Sequence, residues 1–120
     1  MSTILIVEDT PANLALARKL LHAAGHEAVG ASTAAAGIAL ATELRPDLVL
    51  MDLGLPDIDG WEALRRLRAM PDGASLRIAA FTAHAMVGDR ERALLAGFDG
   101  YLSKPIDFAT FAASVEELLA

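Results

Sequence analysis

The sequence contains no cysteine, so disulfides and thiolate metal sites are excluded and a reducing compartment is weakly favoured. It has no stretch near the roughly 20 apolar residues that span a bilayer. Its start, Met1-Ser2-Thr3-Ile4-Leu5-Ile6-Val7, lacks the basic flank and small-residue cleavage site of a signal peptide, which makes the cytoplasm the expected location. Basic excess is missing too. A formal net charge of −6 argues against a sequence-independent grip on nucleic acid, in which Lys and Arg displace counterions. Internal repeats, low-complexity tracts and linkers are also absent. What remains is 120 residues, 54% hydrophobic and 22% charged, the profile of one globular domain over residues 1–120.

The most informative stretch runs Leu48-Val49-Leu50-Met51-Asp52-Leu53-Gly54-Leu55-Pro56. A short apolar run bounded by Gly and Pro predicts a strand buried on both faces. Asp52 then stands at its carboxyl end, where open α/β sheets bind ligands. A carboxylate on apolar backing is costly unless compensated, so partners are expected elsewhere in the chain.

Taken in order, Ile4 to Val7 predicts a strand that ends in Glu8-Asp9. Thr10-Pro11 opens a helix with Leu14, Ala17, Leu20, Leu21 and Ala24 on one arc, Leu16 beside it, and Gly25 as its stop. Glu27 to Ala31 is a second strand. Ser32 or Thr33 caps a small-residue helix with Gly37, Ile38, Ala41 and Leu44 inward, closed before Pro46. The third strand, Leu48 to Asp52, leads through a loop and Gly60 to a helix with Trp61, Leu64 and Leu67 on one face. Arg77 to Phe81 is a fourth strand stopping at Thr82, Met86 to Ala96 a charged helix ended by Gly97, and Tyr101 to Ser103 a fifth strand stopping at Lys104-Pro105. Phe108, Phe111, Ala112, Val115, Leu118 and Leu119 make the last helical stripe. Alternation of this kind with short loops demands parallel strands, right-handed crossovers and helices on both faces, a doubly wound α/β fold.

Glu8, Asp9, Asp52, Thr82 and Lys104 each follow a predicted strand directly, so parallel strands gather all of them at one sheet edge. Singly, Glu8 or Asp9 reads as an ordinary helix N-terminal acid, Thr82 as a cap and Lys104 as a surface lysine. Jointly, clustered carboxylates repel unless a cation intervenes. An all-oxygen set without His or Cys suits a hard divalent ion, Mg²⁺ first. With an ammonium and a hydroxyl nearby, the site is built for an anion, and transfer of a phosphoryl group onto an oxygen of Asp52 is the natural chemistry.

These residues resemble those of the receiver domain of two-component response regulators. The likeness covers essentially the whole chain. It rests on Val7-Glu8-Asp9, Met51-Asp52 with Pro56 and Gly60, Thr82-Ala83, and Lys104-Pro105. The segment Thr82-Ala83-His84-Ala85-Met86 with Gly88-Asp89-Arg90 is similar to receivers of hybrid kinases and of single-domain regulators. The resemblance implies a five-stranded parallel sheet in the order 2-1-3-4-5. Asp52 is then the phosphoacceptor, fed by a histidine kinase or histidine phosphotransferase. Asp9 and Asp52 ligate Mg²⁺ with the Gly54 backbone carbonyl, and Glu8 acts through a water. Lys104 pairs with phosphoryl oxygens and forms a cis bond with Pro105. Thr82 and Tyr101 are the switch pair, although Tyr101 also reads as a half-buried edge-strand aromatic. The output face of the family, formed by the fourth helix, fifth strand and fifth helix, here involves Met86, Val87, Arg90, Tyr101 and Ala109.

Two positions depart from the commonest pattern. Gly54 replaces a longer side chain two residues after the phosphoacceptor, and His84 lies two residues after Thr82, as a rim residue or a solvated loop histidine. The expected role is signalling through protein contacts, without nucleic acid or membrane and without an external small-molecule substrate. Two rivals stay open: an interaction module of the same fold that works unphosphorylated, and an aspartyl phosphohydrolase, which needs a second acid where Gly54 stands. Leu16 is open to docking a phosphotransferase helix or to being a singly exposed leucine.

Overall fold

Alternation in the chain becomes alternation in space. The computed structural model describes residues 2–83 and 88–119. Strands β1 (Thr3–Val7), β2 (Glu27–Ala31), β3 (Leu48–Met51), β4 (Ile78–Thr82) and β5 (Gly100–Ser103) alternate with helices α1 (Pro11–Ala23), α2 (Ala34–Leu44), α3 (Gly60–Ala69), α4 (Asp89–Ala96) and α5 (Phe111–Leu119). All neighbouring strands pair in parallel, in the order β2-β1-β3-β4-β5. This is the doubly wound fold that the sequence predicts.

The period-2 alternation of strand side chains divides the core in two. Leu5, Val7, Val49, Met51, Ile78 and Ala80 face one layer, with Ala34, Ala41, Ala63, Leu64, Leu67 and Ala93 of α2, α3 and α4. Ile4, Ile6, Leu48, Leu50, Ala79 and Phe81 face the other, with Ala17, Leu21, Phe111 and Val115 of α1 and α5. The apolar run Leu48–Met51 is thus buried on both faces. Packing of α2 on β1 is close: a Cβ on Gly37 would lie 2.6 Å from the Val7 side chain.

Several details differ from the sequence pattern. Ala24 lies past the end of α1 and is exposed, and Leu16 is half-buried rather than fully exposed. The backbone at Thr10 is extended, but its side chain caps nothing; Thr33, not Ser32, caps α2, its side chain accepting from Ala36 N–H. Asp52 lies just beyond β3. Phe108 does not join the α5 stripe. It is 70% exposed, because Asp107 bends the chain there: its side chain accepts from Ala109 N–H and its carbonyl from Phe111 N–H, so the helix starts at Phe111. Helix α4 begins at Asp89 after Gly88, whose φ of 92° is open to glycine. His84, Met86 and Val87 lie outside the described residues.

Candidate functional site

The ladder continues one residue past three of the strands. Glu8 N–H donates to Ala31 O at 2.9 Å, Asp52 N–H to Val7 O at 3.0 Å, and Lys104 N–H to Thr82 O at 2.8 Å. With Val7 opposite Met51 in the register, these bonds place Glu8 and Asp52 side by side on fixed backbone. The backbone at the carboxyl edge is therefore held by the same hydrogen-bond ladder as the strands.

The Lys104 side chain, only 10% exposed, brings its ammonium 3.0 Å from Asp52 Oδ2 and into an ion pair with Glu8 Oε1. The same nitrogen lies 4.9 Å from the centroid of the Phe81 ring, whose face attracts a cation. Asp52 Oδ1 accepts from Gly54 N–H at 3.0 Å. Glu8 Oε2 accepts from Thr10 N–H at 3.1 Å. Glu8 and Asp52 are buried while Asp9 is exposed, yet ligand oxygens from all three lie within 4.8 Å of one another. Burial pushes the Glu8 carboxyl above its ordinary value; Lys104 and the Thr10 amide oppose the shift, and the neighbouring Asp52 charge adds to it.

Two glycines shape the surroundings of Asp52. A Cβ on Gly60 would lie 2.6 Å from Leu53 Cα and 2.8 Å from Asp52 O, so only glycine lets α3 start against the Asp52 backbone. A Cβ on Gly54 would meet only Asp52 Oδ1, at 3.8 Å. Gly54 is exposed and covers nothing.

Glu8, Asp9, Asp52 and Lys104 are thus brought together. Thr82 stands at the end of β4, fully buried, on the strand beside Asp52. Tyr101 is half-buried on β5, its phenol raised above its ordinary value by burial and then by the Asp89 charge. With Arg90, Ser103 and Ile106 it lines a cavity of about 610 Å³ between α4 and α5, whereas Ala109 is exposed outside that lining. The Lys104–Pro105 peptide bond is cis.

Sequence reasoning missed two contributors. The Phe81 ring beneath Lys104 has no local signal. Asp57 caps α2 from the β3–α3 loop, donating neither charge nor ligand to the acidic cluster but accepting from Ala34 and Ala35 N–H. The Asp59 cap on Glu62 N–H also went unassigned, although the Asp-x-x-Glu spacing carries a signal for it.

The family model for the response regulator receiver domain matches residues 4–116. The chain belongs to that family. Receiver domains are the signalling modules of two-component systems and take phosphoryl groups from histidine kinases. Among its relatives, this receiver is 37% identical over 117 residues to the polar-differentiation response regulator DivK of Brucella anthropi, an alignment covering 98% of this chain and 95% of that protein. It superposes on the receiver domain of a Pseudomonas aeruginosa sensor histidine kinase, solved with a magnesium ion coordinated in its active-site cleft, with a TM-score of 0.87 and 35% identity, over 98% and 97% of the two chains. The chemotaxis response regulator CheY4 of Vibrio cholerae shares the fold at a TM-score of 0.91, with 22% identity and 98% coverage of each chain. No helix among the described residues is long and apolar enough to cross a membrane.

Proposed function

We propose that residues 1–120 act as one phosphoacceptor unit that takes a phosphoryl group from a phosphohistidine of a histidine kinase or histidine phosphotransferase onto Asp52. The observation that carries this reading is the Asp52 carboxylate, held between the Lys104 ammonium and the Gly54 amide beside two further carboxylates. An Asp52 oxygen forms the new P–O bond as the P–N bond breaks. The imidazole, protonated on its other nitrogen, leaves neutral with the electron pair. Lys104 and the Thr82 hydroxyl then turn to the phosphoryl oxygens. Three clustered carboxylates on one ammonium leave an excess of negative charge, and their all-oxygen donors fit a hard divalent cation. Asp9 and Asp52, the Gly54 carbonyl and, through a water, Glu8 would hold Mg²⁺, which supplies neutralisation of charge on the transferred group.

Output follows from rearrangement at the same edge. Thr82 is one strand from Tyr101, and Tyr101 with Arg90 borders the cavity between α4 and α5. A phosphoryl group that draws Thr82 and Lys104 biases this face toward a protein partner in the cytoplasm; no nucleic acid or membrane is required. The chain has no external substrate and assists only its own phosphorylation and dephosphorylation.

The test is intact mass after incubation with acetyl phosphate, with and without Mg²⁺, on wild type and Asp52→Asn. A Mg²⁺-dependent phosphoryl adduct in wild type that the variant lacks is the expected result. Absence of both an adduct and beryllofluoride binding in wild type would overturn the reading in favour of a phosphorylation-independent interaction module.

A further inference from the structure

The loop that joins Asp52 to α3 is tied at three places. At its start, Gly54 N–H reaches back to Asp52 Oδ1 at 3.0 Å. At its end, Gly60 N–H donates to Leu53 O at 3.1 Å, and Asp59 caps Glu62 N–H at 2.8 Å. The middle is tied outward: Asp57 Oδ1 accepts from Ala34 N–H at 3.0 Å and Oδ2 from Ala35 N–H at 2.9 Å. Both are first-turn amides with no partner inside α2, at the positive end of the helix dipole.

This third tie has a particular reference point. Helix α2 is seated on β1 so closely that Gly37 has no room for a Cβ beside Val7, and Val7 directly precedes Glu8 and Asp9. Asp57 therefore references the loop carrying Gly54 to the strand carrying the other acidic donors. We infer that Asp57 is a positioning residue, which pins the acceptor loop to α2 and so sets the affinity of the acidic edge for a divalent cation. This rests on the phosphoacceptor reading above. The two amide bonds, Ala35 first and then Ala34, also hold the Asp57 carboxyl below the ordinary carboxylate range, so the clamp is ionised at neutral pH.

Thr33 provides the control. Its side chain caps the same helix at Ala36 N–H, 3.1 Å, and among the described residues it makes no hydrogen bond to the loop. Calorimetric titration of the full chain with Mg²⁺, with amide exchange at Gly54, compares wild type, Asp57→Ala, Asp57→Asn and Thr33→Ala. Asp57→Ala is expected to weaken Mg²⁺ binding about threefold to tenfold and to speed Gly54 exchange. Asp57→Asn, which keeps one acceptor oxygen, falls between it and wild type. Thr33→Ala lowers the melting temperature without changing Mg²⁺ affinity. Equal weakening in Thr33→Ala and Asp57→Ala, or unchanged affinity in both Asp57 variants while wild type binds Mg²⁺, overturns the inference alone. Wild type that binds no Mg²⁺ overturns the phosphoacceptor reading with it.

Discussion

Ionic clusters close both ends of the sheet, and they are built on opposite plans. At the amino end, the Arg68 guanidinium donates to Gly73 O at 2.9 Å, to Leu76 O, to Gly97 O at 2.8 Å and to Asp99 Oδ2 at 2.8 Å. Asp99 also accepts from Ile78 N–H at 2.9 Å and donates its own N–H to Ile78 O at 2.7 Å. One cation meets one carboxylate, and the remaining donors find carbonyls. At the carboxyl end one ammonium serves two buried carboxylates, with a third beside them. A cluster whose charges balance internally holds the fold together. One left with surplus acid suits a cation and, on the reading proposed above, an incoming anion.

Substitution at the two ends should therefore act in opposite directions. Arg68→Ala strips the donor from three carbonyls and a carboxylate that join α3, α4, β4 and β5. With Arg68 partly solvated, the expected loss is about 2 kcal/mol in urea unfolding, with the phosphoryl adduct intact. Asp52→Asn removes a like charge beside Glu8 and keeps an acceptor for Gly54 N–H. It should abolish the adduct yet raise metal-free stability by about 1 kcal/mol. Destabilisation by Asp52→Asn without Mg²⁺ would show that the carboxyl end is as self-contained as the amino end.

This contrast also explains what the sequence could reveal. Most strand ends in the acidic edge announce themselves, because an apolar run stops at a polar residue in Glu8, Asp52 and Thr82, and Lys104 follows the end of β5 directly. Parallel pairing does the rest, and short loops between alternating elements demand that pairing. Arg68 carries no such signal; beside Arg65 and Arg66 it looks like one more solvated charge, and its partners lie 5 to 31 residues away. Asp57 was equally opaque, since its amides lie 22 and 23 residues upstream. Phe108 misled for a different reason: its spacing fits the α5 stripe, but the Asp107 turn holds it out of the helix.

Acidity sharpens the comparison. Glu8 is raised above its ordinary 4.5, so folding favours its protonated form; its contribution to stability is complete below that value and is lost as pH rises through the folded one. Glu62, lowered to about 2 by Arg65 and then Arg66, has the opposite sign: its contribution is present above the ordinary 4.5 and lost as pH falls. Glu62 is half-buried, but its partners Arg65 and Arg66 are exposed, and solvent screening leaves the cluster little weight. Without Mg²⁺, thermal melts should show Glu8→Gln losing less stability than wild type between pH 4.5 and neutrality. Parallel curves would mean that Lys104 already neutralises Glu8 in full.

The smallest effect on stability is expected at Gly54, and it separates folding from chemistry most cleanly. An added Cβ there meets only Asp52 Oδ1, at ordinary contact distance, so Gly54→Met and Gly54→Asn should change unfolding free energy by less than about 0.5 kcal/mol. The same open space lies beside Oδ1 of the buried Asp52, and the lack of a side chain there is expected to ease the approach of water or a phosphodonor. A longer side chain in that space screens the acyl phosphate, and the phosphoryl lifetime, followed by the decay of the intact-mass adduct, should change severalfold. At the amino end, Arg68→Ala is expected to loosen the fold and leave that lifetime unchanged. At Gly54 the lifetime moves while the fold stays put, and an unchanged decay rate in both variants would show that water reaches the phosphorus from another side.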